Sequence, residues 1–298
     1  MELNKDRLSA MRTAFSLKFQ SAFNAVPTVY DKFCMVEGDA AHTTIDFPFL
    51  ETFAFMREWI GPRQIKNLTS RVLRMTEKAY EDTVAVKVRD IETDNWKQYA
   101  SLIAQMGQAG AQLWDRLAIE ALTNPKAWID NKAFFGEHKY GKQTIVNAVS
   151  TALNETTFDA AFLTMCSYQG HNGEALGVRP DTLMHGPSLS ATAWNIVKNS
   201  KVVVTEGTAA IDNRNFNKVE LLENPRLVGD YANDWYLMQA NGVIKPVILQ
   251  KSKDVELVPL DKPDHENVFD RDEILYGSKA YGSAAAAFPH LVYRGGRG

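Results

Sequence analysis

The chain has 298 residues, 45% of them hydrophobic and 23% charged, so it can bury one large core or two modest ones. Its 33 basic and 36 acidic side chains leave a formal net charge of −3, and no Lys/Arg cluster stands out, which argues against a protein whose main task is to coat nucleic acid. Two isolated cysteines, Cys34 and Cys166, and the lack of any apolar run near roughly 18 residues suggest no disulfide framework, no zinc site and no membrane span, with a reducing cytoplasm as the simplest setting.

From Lys5 to Val26 the apolar residues Leu8, Met11, Phe15, Phe19, Ala22 and Val26 recur at steps of three and four, which predicts a helix with Asn4 as N-cap and Pro27 as stop. Such a helix either docks on its own domain or serves as a detachable arm on a neighbour. The run His42 to Phe47 reads as extended chain. It leads into the aromatics Phe47, Phe49, Phe53, Phe55 and Trp59, which are either core or anchors against another subunit. Two strands follow, Arg71 to Thr76 and Thr83 to Val88. Val84, Val86 and Val88 alternate with Thr83, Ala85 and Lys87, and the short link Glu77 to Asp82 predicts a hairpin between the two. A lone hairpin is marginal in water, so this one must lie on its own domain or on an adjacent copy.

After Asp94 and Asn95 a long amphipathic helix is predicted to Thr123, a rod of roughly 40 Å that ends before Pro125. Gly107 and Gly110 fall inside it, each costing about 1 kcal/mol relative to Ala, and close approach of another backbone is the expected return. Thr156 with Asp159 resembles a capping box that opens a helix through Tyr168, stopped by Gly170. Asp181 to Met184 reads as a strand, and Leu189 to Lys198 as a helix with Ser188 as its N-cap. Further strands are expected at Val243 to Leu249, Val255 to Leu260, Glu273 to Tyr276 and Leu291 to Tyr293, making a mixed α+β protein.

Motifs for chemistry are sparse. The histidines His42, His138, His171, His185, His265 and His290 are scattered singly, with no spacing that sets two metal ligands on one helix face. His185-Gly186-Pro187-Ser188 lacks the glycines of a nucleophile elbow, and Gly107-x-x-Gly110 lies mid-helix where no free amides can cradle phosphate. Acidic runs such as Asp90, Glu92 and Asp94 read as solvated faces. No catalytic, cofactor-binding or metal residues are assigned, and the expectation is a protein that is not an enzyme. A hairpin, a rod and an amphipathic N-terminal segment favour assembly, because elements that reach over neighbours multiply buried area per copy.

The succession Met56-Arg57-Glu58-Trp59-Ile60-Gly61-Pro62-Arg63, Tyr80-Glu81-Asp82-Thr83-Val84-Ala85-Val86 and Arg89-Asp90-Ile91-Glu92-Thr93-Asp94-Asn95 resembles the Mu-like phage and prophage major head subunit family. Phe134-Phe135, Leu183-Met184-His185-Gly186-Pro187 and Tyr276-Gly277 continue the likeness in order; the specificity lies in the ordered set. The resemblance implies a Hong Kong 97-type capsid fold, with an N-terminal helix and arm over 1–45, an extended loop region with a β-hairpin over 46–94, and a peripheral domain with the spine helix over 95–135. An axial domain would occupy 136–242, and return strands to the peripheral domain with the C-terminus 243–298.

Within that frame Ile65 to Arg89 would be the hairpin of the extended loop, and inter-subunit contacts would fall to Arg57, Glu58, Trp59, Arg63, Arg71, Arg74, Lys78, Lys87 and Arg89. Lys66 or Lys78 could also imitate the Lys–Asn cross-link of some members of the fold class, although ion pairing is the plainer role. The implied partners are the chain itself, in the hexamers and pentamers of an icosahedral shell, a scaffold or protease, portal and decoration proteins, and weakly held packaged DNA, with no cofactor and no membrane. The expected location is the virion capsid, and the bacterial cytoplasm during assembly. A nanocompartment shell of the encapsulin kind is the alternative on the same fold.

Overall fold

The computed structural model describes residues 5–38, 42–48, 72–140, 142–202, 210–262 and 265–297. In chain order these form α1 (Lys5–Asn24), α2 (Tyr30–Phe33), β1 (Cys34–Glu37), β2 (Thr44–Pro48), β3 (Val72–Thr76), β4 (Lys78–Lys87), α3 (Val88–Glu92), α4 (Ala100–Ala111) and α5 (Leu113–Thr123). Next come β5 (Glu137–Tyr140), β6 (Gln143–Val146), α6 (Glu155–Cys166), β7 (Thr182–His185), α7 (Ser190–Val197), β8 (Lys201–Val202) and β9 (Ile211–Asp212). The chain ends in β10 (Glu220–Glu223), β11 (Trp235–Met238), β12 (Val247–Leu260), α8 (Glu266–Arg271), β13 (Glu273–Ala286) and β14 (Val292–Gly295).

The stripe on α1 does what its spacing predicts: Leu8, Met11, Phe15 and Phe19 are buried against Ile103 and Met106 of α4. A Cβ at Gly107 would lie 2.5 Å from the Phe19 carbonyl oxygen, so only glycine lets the two helix backbones meet there, and the expected close approach is found. At Gly110 the neighbour is instead the Val255 side chain, 2.8 Å from such a Cβ. Arg12 adds a two-pronged ion pair to the buried carboxylate of Asp261, with Nε to Oδ2 at 2.8 Å. In this structure α1 is docked on its own body.

The rod predicted from Asn95 to Thr123 is built from a 3₁₀ turn at Trp96–Tyr99, then α4 and α5. The junction residue Gln112 keeps helical φ and ψ of −77° and −9°, and the Arg116 N–H still donates to its carbonyl at 3.0 Å. Helix α5 is buried on more than one side, through Trp114, Leu117, Ala118, Ile119 and Leu122, because it packs against both long strands β12 and β13.

Two four-stranded sheets share the largest apolar cluster, one in the order β1-β12-β13-β4 and the other β10-β7-β11-β14. The predicted hairpin between Arg71 to Thr76 and Thr83 to Val88 does not form. Instead β3 pairs antiparallel with β2, from Thr44↔Thr76 to Pro48↔Val72, and β4 pairs with β13, from Lys87↔Glu273 to Lys78↔Gly282. The physical reason is the linker: Glu77 alone separates β3 from β4, and its N–H is taken by Thr43 O at 2.9 Å, so the chain runs straight on to a new partner. The valine alternation holds within β4, with Val86 buried and Val84 packed beside it, while Val88, also buried, already opens α3.

The four short late strands are really three. Strands β12 and β13 each run 14 residues, held in step across irregularities at Lys251/Lys253 and Lys253/Glu256, while Val243 stays outside and exposed. Strand β14 pairs with β11 and so belongs to the sheet of β7, not to the long strands just before it. The cap of α6 is Asn154, whose side chain accepts from the Thr157 N–H at 2.9 Å while the Thr157 hydroxyl takes the Asn154 N–H. Thr156 and Asp159 do not form the box; Asp159 pairs instead with Arg214 and Lys218. Helix α6 stops at Cys166, before the predicted Tyr168. Ser188 lies in a 3₁₀ turn and donates to the Ala232 carbonyl, so it caps nothing.

Just before β14, burial pushes the His290 imidazole down to about 4. Well above pH 6.5 the ring is neutral folded or unfolded and contributes no pH dependence. As pH falls from 6.5 towards 4 the unfolded chain takes up a proton that the fold refuses, so about 2 kcal/mol should be lost between pH 7 and pH 5. Urea midpoints at the two pH values should show that loss in the parent and a flatter response in His290→Gln. An equal slope in both would remove His290 as its source.

Candidate assembly surface

The base of the β2–β3 hairpin has two unlike faces. Ile45 and Met75 are cross-strand partners, as are Phe47 and Leu73, and on this side Met75, Phe47 and Leu73 pack against Ile248, Ala287, Met35 and Phe288. On the other side Arg74 makes two 2.8 Å hydrogen bonds to its cross-strand partner Asp46, both side chains exposed, and this pairing holds the Asp46 carboxyl below its ordinary range. The hairpin is therefore seated at its base by apolar contact and faces solvent with an ion pair.

Beside it lies a cleft of about 350 Å³ between β3, the end of α5, the 126–131 loop and the alanines Ala284, Ala285 and Ala286. Arg74 and Lys78 both line it, so the structure brings these two predicted contact residues together. Lys87 lies at the far end of β4, about 30 Å away along the strand at 3.3 Å per residue, and Arg89 just beyond it in α3. Among the described residues Lys78, Lys87 and Arg89 form no ion pair and are exposed. Arg57, Glu58, Trp59, Arg63 and Arg71, together with Lys66, Phe49, Phe53 and Phe55, lie outside the described residues, as does Asn4.

Sequence reasoning missed Asp46 as the partner of Arg74, and missed the pairs Arg12–Asp261 and Asp234–Arg297, which join residues far apart in the chain. No periodicity announces such pairs. Among the described residues no group of three or more His, Cys, Asp or Glu is placed to hold a metal, and no helix is long and apolar enough to cross a membrane. His138 is spent between Asp130, 2.8 Å from Nδ1, and the Phe134 carbonyl, 2.9 Å from Nε2. Burial pushes the Cys34 thiol well up and the Cys166 thiol up, which is the opposite of an activated nucleophile.

The profile of the Mu-like prophage major head subunit gpT family matches residues 8–150, 138–227 and 224–297. This chain belongs to that family. The major capsid protein of Escherichia phage Mu is 21% identical over 281 residues, which cover 94% of this chain and 70% of that protein. The Mu-like prophage FluMu major head subunit of Haemophilus influenzae is 26% identical over 173 residues, covering 54% of this chain and 56% of its own length. Among solved structures, the procapsid of bacteriophage JBD30 superposes with a TM-score of 0.58 at 22% identity, over 98% of this chain and 75% of that one. The mature capsid of bacteriophage PhiM1 gives 0.57 at 11% identity, over 91% and 87%. The fold of this Mu-like head subunit is thus the Hong Kong 97-type capsid fold.

Proposed function

We propose that many copies of this head subunit tile into hexameric and pentameric capsomers and close an icosahedral shell around double-stranded DNA. The observation that carries the reading is the family match along nearly the whole chain, joined to a body that buries its own core while the β2–β3 hairpin leaves it with one face in solvent. The work is mechanical and not catalytic. The extended loop includes β2 and β3, the spine is α4–α5, the peripheral domain carries the β1-β12-β13-β4 sheet, and the axial domain carries the β10-β7-β11-β14 sheet.

Arg74 and Lys78 by the cleft, Lys87 at the end of β4 and Arg89 in α3 are the described candidates for contact with neighbours. Arg57, Glu58, Trp59, Arg63 and Arg71 are proposed to join them. One JBD30 structure is a capsid decorated with minor capsid protein trimers, and decoration of this shell is proposed by analogy, as are scaffold or protease and portal partners. Contact with packaged DNA should be weak, because the net charge is −3. The place of action is the virion, after assembly in the host cytoplasm. The family match and both curated relatives, a phage and a prophage head protein, favour this reading over a cellular nanocompartment.

Electron microscopy of the purified chain is the direct test. Closed shells or capsomer sheets are expected, and a strictly monomeric particle under every assembly condition would overturn the reading.

A further inference from the structure

We propose that each copy seats Phe269 of α8 in an apolar groove on α1 of a neighbouring copy. This contact deepens the reading of the chain as a shell subunit and rests on it.

The groove, of about 560 Å³, lies where α1 meets the Trp96 turn. The inner stripe of α1 is consumed by α4. Ala14, Leu17 and Ser21, spaced by three and four residues, form a second stripe that faces outward beside Trp96, and Leu17 is 67% exposed. Lys18 and Lys97 stand on its rim.

The other half of the contact is on α8. Phe269 is 93% exposed, a large apolar side chain in an otherwise polar segment. At helical spacing Glu266, three residues before it, shares its side of α8, Asp270 follows one step further round in solvent, and Arg271 turns away. Neither acid forms an ion pair among the described residues; nor does Lys18, and Lys97 reaches only Asp94, at 3.5 Å. The knob therefore carries negative charge where the groove carries positive, with Lys18 and both acids unpaired among the described residues and Lys97 shared with Asp94.

The presentation is firm. Val268 points inward to the cluster that holds Phe15 and Tyr276, the His265 ring accepts from the Asn267 N–H at 3.2 Å, and Asp272, at φ 54°, ends the helix with its carbonyl accepting from the Val88 N–H at 2.9 Å. A side chain held this way loses little freedom on binding. Among the described residues of one chain nothing fills the groove and Phe269 stays in solvent, so the contact is one between copies. Because knob and groove are different patches, every copy gives one and takes one. Such a head-to-tail contact propagates around a ring or shell and does not stop at a dimer.

The test mixes two chains, Leu17→Cys and Phe269→Cys, both carrying Cys34→Ala and Cys166→Ser so that each holds a single cysteine, assembles them and oxidises with copper phenanthroline. A disulfide-linked dimer is expected only when both chains are present, because the bond needs Cα atoms within about 7 Å. Phe269→Ala should raise the concentration needed for assembly about tenfold. The pair Lys18→Glu and Lys97→Glu should impair assembly, as should Glu266→Lys with Asp270→Lys, and combining all four should restore it. Normal shells without the 17–269 link, a link from position 17 to another part of the chain, or failure of the charge swap to rescue would overturn this contact and leave the shell reading standing. If the unsubstituted chain forms no shells, both fall together.

Discussion

Closing the β2–β3 hairpin with an Asn-Gly turn in place of residues 49–71 is expected to yield a folded subunit that no longer forms closed shells. Pro48 and Val72 are register partners, so two residues suffice to join the strands. The apolar seat of the hairpin, Phe47, Leu73 and Met75 on Ile248 and Ala287, is retained, and so is the Asp46–Arg74 pair on the outer face. What is removed is the stretch that holds Arg57, Glu58, Trp59, Arg63 and Arg71, the residues assigned to neighbouring copies. Circular dichroism and urea unfolding should match the parent, while sedimentation should show small species in place of shells. Unfolding of the variant would place the segment in the subunit's own core, and normal shells would show that it does not join neighbours. Cutting Thr76 to Asp82, the stretch that the sequence suggested as hairpin tip, is a different experiment: it removes half of β4 from the main sheet.

Arg297→Ala should be the most damaging single loss of charge, at about 3 kcal/mol or more, because it strands a buried carboxylate. Asp234 is almost wholly buried; Arg297 reaches it at 2.5 Å, donates a second hydrogen bond to the Thr123 carbonyl at 3.0 Å and lies 4.7 Å over the Tyr231 ring. That carbonyl is an orphan acceptor at the end of α5, so the guanidinium both pairs Asp234 and caps the rod. Gly296 makes the approach possible. Its φ is +96°, and a Cβ there would lie 1.8 Å from the Asn233 carbonyl oxygen. Without Arg297, Asp234 keeps, among the described residues, the Tyr236 hydroxyl, 3.2 Å away. Arg74→Ala is the control: its pair with Asp46 is exposed on both sides, and its loss should cost about 1 kcal/mol at most. Asp234→Asn combined with Arg297→Ala should recover part of the loss, since no charge is then left buried. Equal urea midpoints for Arg297→Ala and Arg74→Ala would refute the assignment.

Neither the Arg297 latch nor the Arg12–Asp261 tie could be read from the chain, because their partners lie 63 and 249 residues apart. The same holds for strand pairing. Thr83 to Val88 shows by its alternation that it is a half-buried strand, yet nothing local says that its partner is Glu273 to Tyr276 and not its predecessor. The assumption that near neighbours pair is usually sound, and here a one-residue linker defeats it. The cap of α6 shows a smaller failure: Asn154 with Thr157 and Thr156 with Asp159 are both plausible boxes, and the choice depends on where the preceding chain enters.

The sequence by itself determined the elements whose signal is periodic and near in the chain: the α1 stripe, the rod to Thr123 with its backbone contact at Gly107, the valine face of β4 and, through an ordered set of motifs, the family. Helical and strand periods are set by backbone geometry, so a burial pattern shows in the order of residues. Only the tertiary structure decided which strand lies beside which, where β14 goes, that α1 rests on its own rod, and that among the described residues nothing covers Phe269 or fills the Leu17 groove. Those outcomes depend on distant segments meeting in space, where packing and the pairing of buried charge select one arrangement among many that local patterning permits equally well.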